Sequence, residues 1–285
     1  MEMQILFFGI ALPVAFGLIF IVLQGIRNKL WKANYFSGLA LASTLLLSAM
    51  SEDSFYSFTT QNLWLWFPLA VGLSALIAST GNAFTNSLRT GALIVCASAI
   101  PAALVLNIPN WQSPTSRFLL GVVTAIFAFF LNRVVERHNN FSTFIALSFS
   151  LTAASVLAMI SGFAKLAVPI GAVSCCLGIV SLIRLITWTP AHNHVCLGLS
   201  GAVTITSVAV FGSATGLGYD TSGLPIICWV LSAIAPLGLW VGELPRICSR
   251  PTLSSWARIF GCAILSAVAI VIAVFVLNSP TLPIT

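Results

Sequence analysis

Ten apolar stretches, separated by short polar breaks, run the length of the chain. They cover Ile5–Leu23, Asn34–Met50, Leu63–Ser79, Thr90–Leu106, Phe118–Leu131, Phe141–Ile160, Leu166–Ile186, Val195–Leu217, Gly223–Val241 and Ala257–Leu277. A spanning helix needs about 20 mostly apolar residues. The pattern therefore predicts an all-α polytopic transmembrane bundle of about ten spans, forming one integral membrane domain over residues 1–285. The fifth stretch is the shortest and would reach only about 21 Å at 1.5 Å per residue. Arg117 and Arg133 stand at its two ends, where they can snorkel to opposite interfaces.

Composition narrows the function classes. Hydrophobic residues make up 59% of the chain and charged residues 6%, with a mean hydropathy of +1.05. A soluble domain carries about 25% charged residues. No polar stretch approaches the roughly 40 residues that an unstapled soluble domain needs. Kinase, nuclease, Rossmann and zinc-finger readings thus have no room. The net charge of +6 does not point to nucleic acid, because no basic cluster is interleaved with aromatics.

The cations instead set orientation. With ten spans and both termini outside, the cytoplasmic side holds Arg27, Lys29, Lys32, Arg89, Arg133, Arg137, Arg184, Arg246, Arg250 and Arg258, and the outer side only Arg117 and Lys165. Deleting the fifth span leaves Arg27, Lys29, Lys32, Arg89 and Lys165 inside and the rest outside, which favours ten spans. Tryptophans form a belt at both faces: Trp64, Trp66 and Trp111 near outer ends, Trp229 a turn or two in, and Trp31, Trp188, Trp240 and Trp256 near inner ends. Met1–Gln4 lacks the basic n-region of a signal peptide and no small-x-small cleavage site follows, so the first stretch reads as a retained span. The expected location is a bacterial inner membrane, with lipid as the obligatory partner.

The seven cysteines do not suggest disulfides. Cys96, Cys175, Cys176, Cys228 and Cys262 lie inside spans, and Cys196 and Cys248 on the cytoplasmic side. The glycosylation-type triplet Asn140-Phe141-Ser142 falls on the inner face and is discounted.

Five spans plus five would place the halves, 1–135 and 136–285, in opposite orientations, the inverted repeat of many transporters. Corresponding stretches start at offsets of about 134 residues, and Ser98-Ala99-Ile100-Pro101 is echoed by Ser232-Ala233-Ile234 and Pro236. Evenly spaced spans would give the same offset without duplication. By layout alone, ten spans in this length is similar to the drug/metabolite transporter superfamily, whose members usually keep both termini cytoplasmic. No motif residue carries the likeness further.

Chemistry is sparse. No span has Asp, Glu, Lys or His in its middle, and Arg184 lies in the last turn of its span. That argues against a carboxylate-driven proton antiporter and against metal-dependent prenyl transfer. Hydroxyls line single helical faces as Thr44, Ser48 and Ser51, as Ser148, Thr152 and Ser155, and as Ser200, Thr204 and Ser207. They read either as a polar path between the halves or as close helix packing. Gly212 and Gly216 form a GxxxG pair suited to contact within the chain or between chains. Pro13, Pro68, Pro101, Pro169, Pro225 and Pro236 interrupt spans, as prolines do at transporter sites and in membrane helices generally. His192, His194 and Cys196 are weak metal candidates, short of an obvious fourth ligand. Gly198-Leu199-Ser200-Gly201 resembles the serine motif of rhomboid intramembrane proteases, but no histidine follows His194 to act as base.

The leading expectation is a small secondary transporter or permease for a neutral or amphipathic solute, with Ser148, Thr152, Thr204 and Ser207 as substrate-binding residues. No catalytic residue, metal or cofactor is assigned. The alternative is a non-catalytic scaffold or accessory subunit, as a homo-dimer or in a larger membrane complex. A third is an inner-face enzyme using His138, His192, His194 and Glu243, provided that those side chains converge.

Overall fold

The computed structural model describes residues 9–19, 36–52, 63–83, 87–138, 140–186 and 197–278. It contains no strand among these residues, and each of the ten apolar stretches holds a helix. The helices are α1 Gly9–Ile19, α2 Phe36–Glu52, α3 Leu63–Ser79, α4 Ser87–Leu104, α5 Pro114–Arg137, α6 Phe141–Ile160, α7 Ala164–Ile186, α8 Gly198–Gly218, α9 Ile226–Glu243 and α10 Pro251–Asn278. Six of them, α5 to α10, are long and apolar enough to cross a membrane, which is the signature of an integral membrane protein. The first four are shorter apolar helices.

The fifth helix is longer than its apolar run suggests. Ser113 accepts from Ser116 N and Pro114 occupies the first turn, so the helix starts before the hydrophobic segment. Its 24 residues reach about 36 Å. The tenth helix likewise starts at Pro251 rather than near Ala257, which draws Ser254 and Trp256 inside it. The prolines divide into two kinds. Pro68 lies in the first α-helical turn of α3, just after its 3-10 start at Leu63–Leu65, and Pro225 is the N-cap of α9, where a missing N–H costs little. Pro101 and Pro169 sit within α4 and α7, and from Ala235 α9 continues as a 3-10 helix with Pro236 in its first turn.

The α8 helix forms the centre of the bundle. Of its spanning window 89% is buried, against 28% for α10. It packs on α2, α3, α5, α6 and α9. Small residues permit this, because they let neighbouring backbones approach. A Cβ at Gly38 would lie 2.5 Å from Ser200 O, and one at Gly216 would overlap the Trp229 ring. Gly212 faces Ile170 and Phe67, so the GxxxG pair serves contacts within the chain. Trp229 is a correction to the belt expected from sequence: it is buried against α8 rather than at a headgroup interface. Trp31 and Trp188 lie outside the described residues.

The two ends of the bundle differ. Arg133, Arg137, Arg184 and Arg258 lie at one, which we call the basic end, where Arg184 stacks over Phe144 at 4.5 Å. At the other, Trp64 meets Phe163 edge-on and Phe163 stacks on Tyr219, while Arg117 is held by Asn107 Oδ1 and Trp111 O. Burial pushes the Tyr219 phenol above its ordinary value.

Candidate functional site

Two groups of polar side chains lie inside the bundle. The first is hydroxyl. On α6, Ser148 donates to Ser174 O at 2.9 Å, Thr152 and Ser174 share a hydrogen bond at 2.7 Å, and Ser155 donates to Ala167 O at 2.7 Å. Gly171 and Gly178 on α7 face Ser155 and Ser148. This stripe is therefore a seam between α6 and α7, and Thr152 lies on its exposed edge. On α8, Thr204 returns its hydroxyl to Ser200 O, while the buried hydroxyls of Ser200, Ser207 and Ser213 make no hydrogen bond among the described residues. No hydrogen bond joins the Ser148–Thr152 pair to the Thr204–Ser207 pair among the described residues. Thr44 donates to Ala40 O within α2, and Ser48 donates to Gly9 O of α1.

Ser98 on α4 and Ser232 on α9 belong to the same group and open the two copies of the sequence echo. Both are buried and neither hydroxyl has a partner among the described residues. Each lies on a helix seated against a glycine of the next. A Cβ at Gly121 of α5 would stand 2.6 Å from Ala99 Cα and 3.0 Å from Ser98 O. One at Gly238 of α9 would stand 2.5 Å from the carbonyl carbon of Gly261 in α10.

The second group is ionic and sits at the basic end. Glu243, at the close of α9, accepts from Arg258 Nη2 at 3.1 Å and from His138 Nε2 at 2.9 Å, both on Oε1. Arg137 Nη1 is 3.7 Å from Oε2. Arg258 is 1% exposed, and its Nη2 also donates to Ser254 Oγ at 2.7 Å. Ser254 in turn donates to Gly242 O. The guanidinium lies over Gly242, where a Cβ would meet Arg258 Cγ at 2.5 Å. A buried guanidinium needs a hydrogen-bonded counter-ion, and Glu243 supplies it. The fold thus brings His138 and Glu243 together. His192, His194 and Cys196 lie outside the described residues, and no group of three or more metal-ligating side chains occurs among those described.

Sequence reasoning placed His138 and Glu243 on one face but took Arg258 for an interfacial cation. The signal that could have found it was the spacing Ser254-x-x-x-Arg258 at the mouth of the last span, together with Gly238 and Gly242 on the preceding one.

A groove of about 540 Å³ runs between α2 and α3, lined by Leu39, Leu46, Trp66, Leu73 and Leu76 among others. Its walls are almost wholly apolar, so it suits an acyl chain better than a polar solute. No family model, curated protein or solved structure matches this chain.

Proposed function

We propose that the protein is a ten-span secondary transporter or permease, built as a 5+5 inverted repeat, that carries a neutral or amphipathic solute. The observation that carries the reading is the pair Ser98 and Ser232: buried hydroxyls with no hydrogen-bond partner among the described residues, at matched places on the fourth helix of each half. A buried hydroxyl normally finds a partner, most simply a carbonyl of its own helix. Without a partner among the described residues, on two helices with prolines at matched places, it is available to a passing solute or to water.

Helix pairing supports the repeat. Contacts of α3 with α4 and of α4 with α5 in the first half have counterparts in α8 with α9 and α9 with α10, while α2–α7 and α3–α8 are each their own counterpart under a two-fold exchange. The α2–α8, α5–α8 and α5–α9 contacts have no comparable counterpart among the described residues. Orientation follows the cations, with the basic end cytoplasmic and both termini outside. The binding residues of this reading are Ser98, Ser207 and Ser232, together with Thr204. Ser148 and Thr152 remain the proposed lining of its α6 flank.

Single cysteines at Ser98, Ser207 and Ser232, in a chain stripped of native thiols, test the proposal in oriented vesicles. A membrane-impermeant cationic thiol reagent is expected to modify at least one position from one side and to be excluded from the other. If all three stay unmodified from both sides, the transporter reading fails. The scaffold reading would then stand on α10, whose exposed Trp256, Phe260, Ile264, Val271 and Phe275 form a long apolar flank. Lipid also covers such a surface, so a stoichiometric partner retained in mild detergent is what that alternative requires.

A further inference from the structure

The ionic cluster joins the end of the fifth helix to the last two. His138 caps α5. Glu243 and Arg258 belong to α9 and α10. Beside the cluster, Phe130 of α5 meets the Trp240 ring edge-on, and Trp240 Nε1 donates to Phe130 O at 3.2 Å. We infer that His138, Glu243 and Arg258 form a proton-operated latch that closes the basic end while His138 is neutral and releases it when His138 is protonated. What is closed rests on the transporter reading; the latch itself rests on the geometry.

The charge balance explains why. Neutral imidazole adds a donor to Glu243 without adding charge. Imidazolium would put a third cation around one carboxylate, beside Arg137 and the buried Arg258. The remaining nearby groups do not compensate. Glu136, on α5 itself, is engaged by Asn132 Nδ2 at 2.7 Å. From α6, Thr143 donates its hydroxyl to His138 O and to Asn140, both neutral. Ser254 of α10 is neutral, and Arg246 and Arg250, in the turn after α9, are exposed and make no ion pair with the cluster among the described residues.

The direction of the His138 pKa agrees. Burial, foremost, and then the Arg258 charge hold it below the ordinary imidazole value of 6.5, against the opposing pull of Glu243. The closed arrangement therefore binds a proton less tightly than a solvated His138 does. By linkage, protons favour the arrangement in which His138 has left the cluster. The contact is fully present above the ordinary value and is lost as pH falls through the lower, folded one.

Hydrogen exchange by mass spectrometry on the full chain in lipid nanodiscs tests this. Rates at about pH 7.5 and about pH 5, either side of the imidazole value, are each normalised to an unfolded control. In the wild type, peptides covering the end of α5 and the turn between α9 and α10 are expected to lose about tenfold in protection at the lower pH, a local opening. His138→Gln keeps an N–H donor for Glu243 but cannot titrate, so its protection should not change with pH. His138→Asn serves if the glutamine variant folds poorly. The double variant His192→Gln/His194→Gln should keep the step. No step in the wild type, or an undiminished step in His138→Gln, overturns the latch. A step with the thiol probes at Ser98, Ser207 and Ser232 all inaccessible leaves the latch standing and removes the transporter reading. Accessible probes without a step do the reverse.

Discussion

Arg258→Ala is expected to cost about 3–5 kcal/mol of stability, the cost of breaking a buried pair from one side. The variant would leave Glu243, with a side chain only 9% exposed, facing Arg137 and His138 alone. Glu243→Ala should cost a similar amount, because it strands a guanidinium that is 1% exposed. Arg137→Ala supplies the contrast. Its side chain is 64% exposed and 3.7 Å from the carboxylate, so its loss should cost only about 0–1 kcal/mol. The double change Arg258→Met with Glu243→Leu should recover much of the single-variant loss, since an apolar replacement removes both charges together. Thermal unfolding in detergent, followed by intrinsic fluorescence, gives the ranking. If Arg258→Ala melts no earlier than Arg137→Ala, Arg258 is not the buried anchor described here.

The crossing of α9 on α10 should be the least forgiving place in the bundle for added volume. Gly238 and Gly261 meet backbone to backbone: a Cβ on Gly238 would stand 2.5 Å from Gly261 C and 2.6 Å from Cys262 N, and one on Gly261 would overlap Gly238 O. Overfilling a core with side-chain neighbours costs about 1–3 kcal/mol because those neighbours can turn aside. A main chain cannot, so Gly238→Val and Gly261→Val are expected to exceed the top of that range and to prevent recovery of folded protein at ordinary expression temperatures. Gly91→Ala is the control. Nothing lies within 4 Å of its added methyl, and alanine relieves a helix interior of about 0.8–1.0 kcal/mol of glycine penalty. Size-exclusion profiles and melting of the three variants side by side would show it. A monodisperse, wild-type-like Gly261→Val would mean that the two helices do not cross this closely.

The α6 hydroxyls show how far a pattern reaches. Ser148, Thr152 and Ser155 share a face because helical spacing requires it, and that was legible. What the face meets was not. Ser174, Gly171 and Gly178 lie on α7, and their approach turns the stripe into a packing seam. The α8 stripe has the same spacing but lies in the buried centre, where the Ser207 hydroxyl has no partner among the described residues. Identical periodicity thus took different roles, set by the neighbours each helix drew.

Arg258 makes the same point for charge. Counted along the chain, every arginine beside an apolar run looks like a marker of the membrane surface. Whether it snorkels outward or turns inward depends on an acceptor and on room to reach it. Here Gly242 supplies the room and Glu243 the acceptor.

The apolar runs by themselves determined that the described residues are helical almost throughout and suited to a membrane. In hydrocarbon every backbone N–H and C=O must be satisfied within its own segment, and only a helix does that locally. Helix ends were less legible, because caps such as Ser113 with Pro114 extend a helix past its hydrophobic run. Tertiary structure alone decided that α8 is central, that Trp229 is core, and that His138, Glu243 and Arg258 meet. Those outcomes depend on which small residues allow two backbones to touch, and that is a property of pairs of helices rather than of any one.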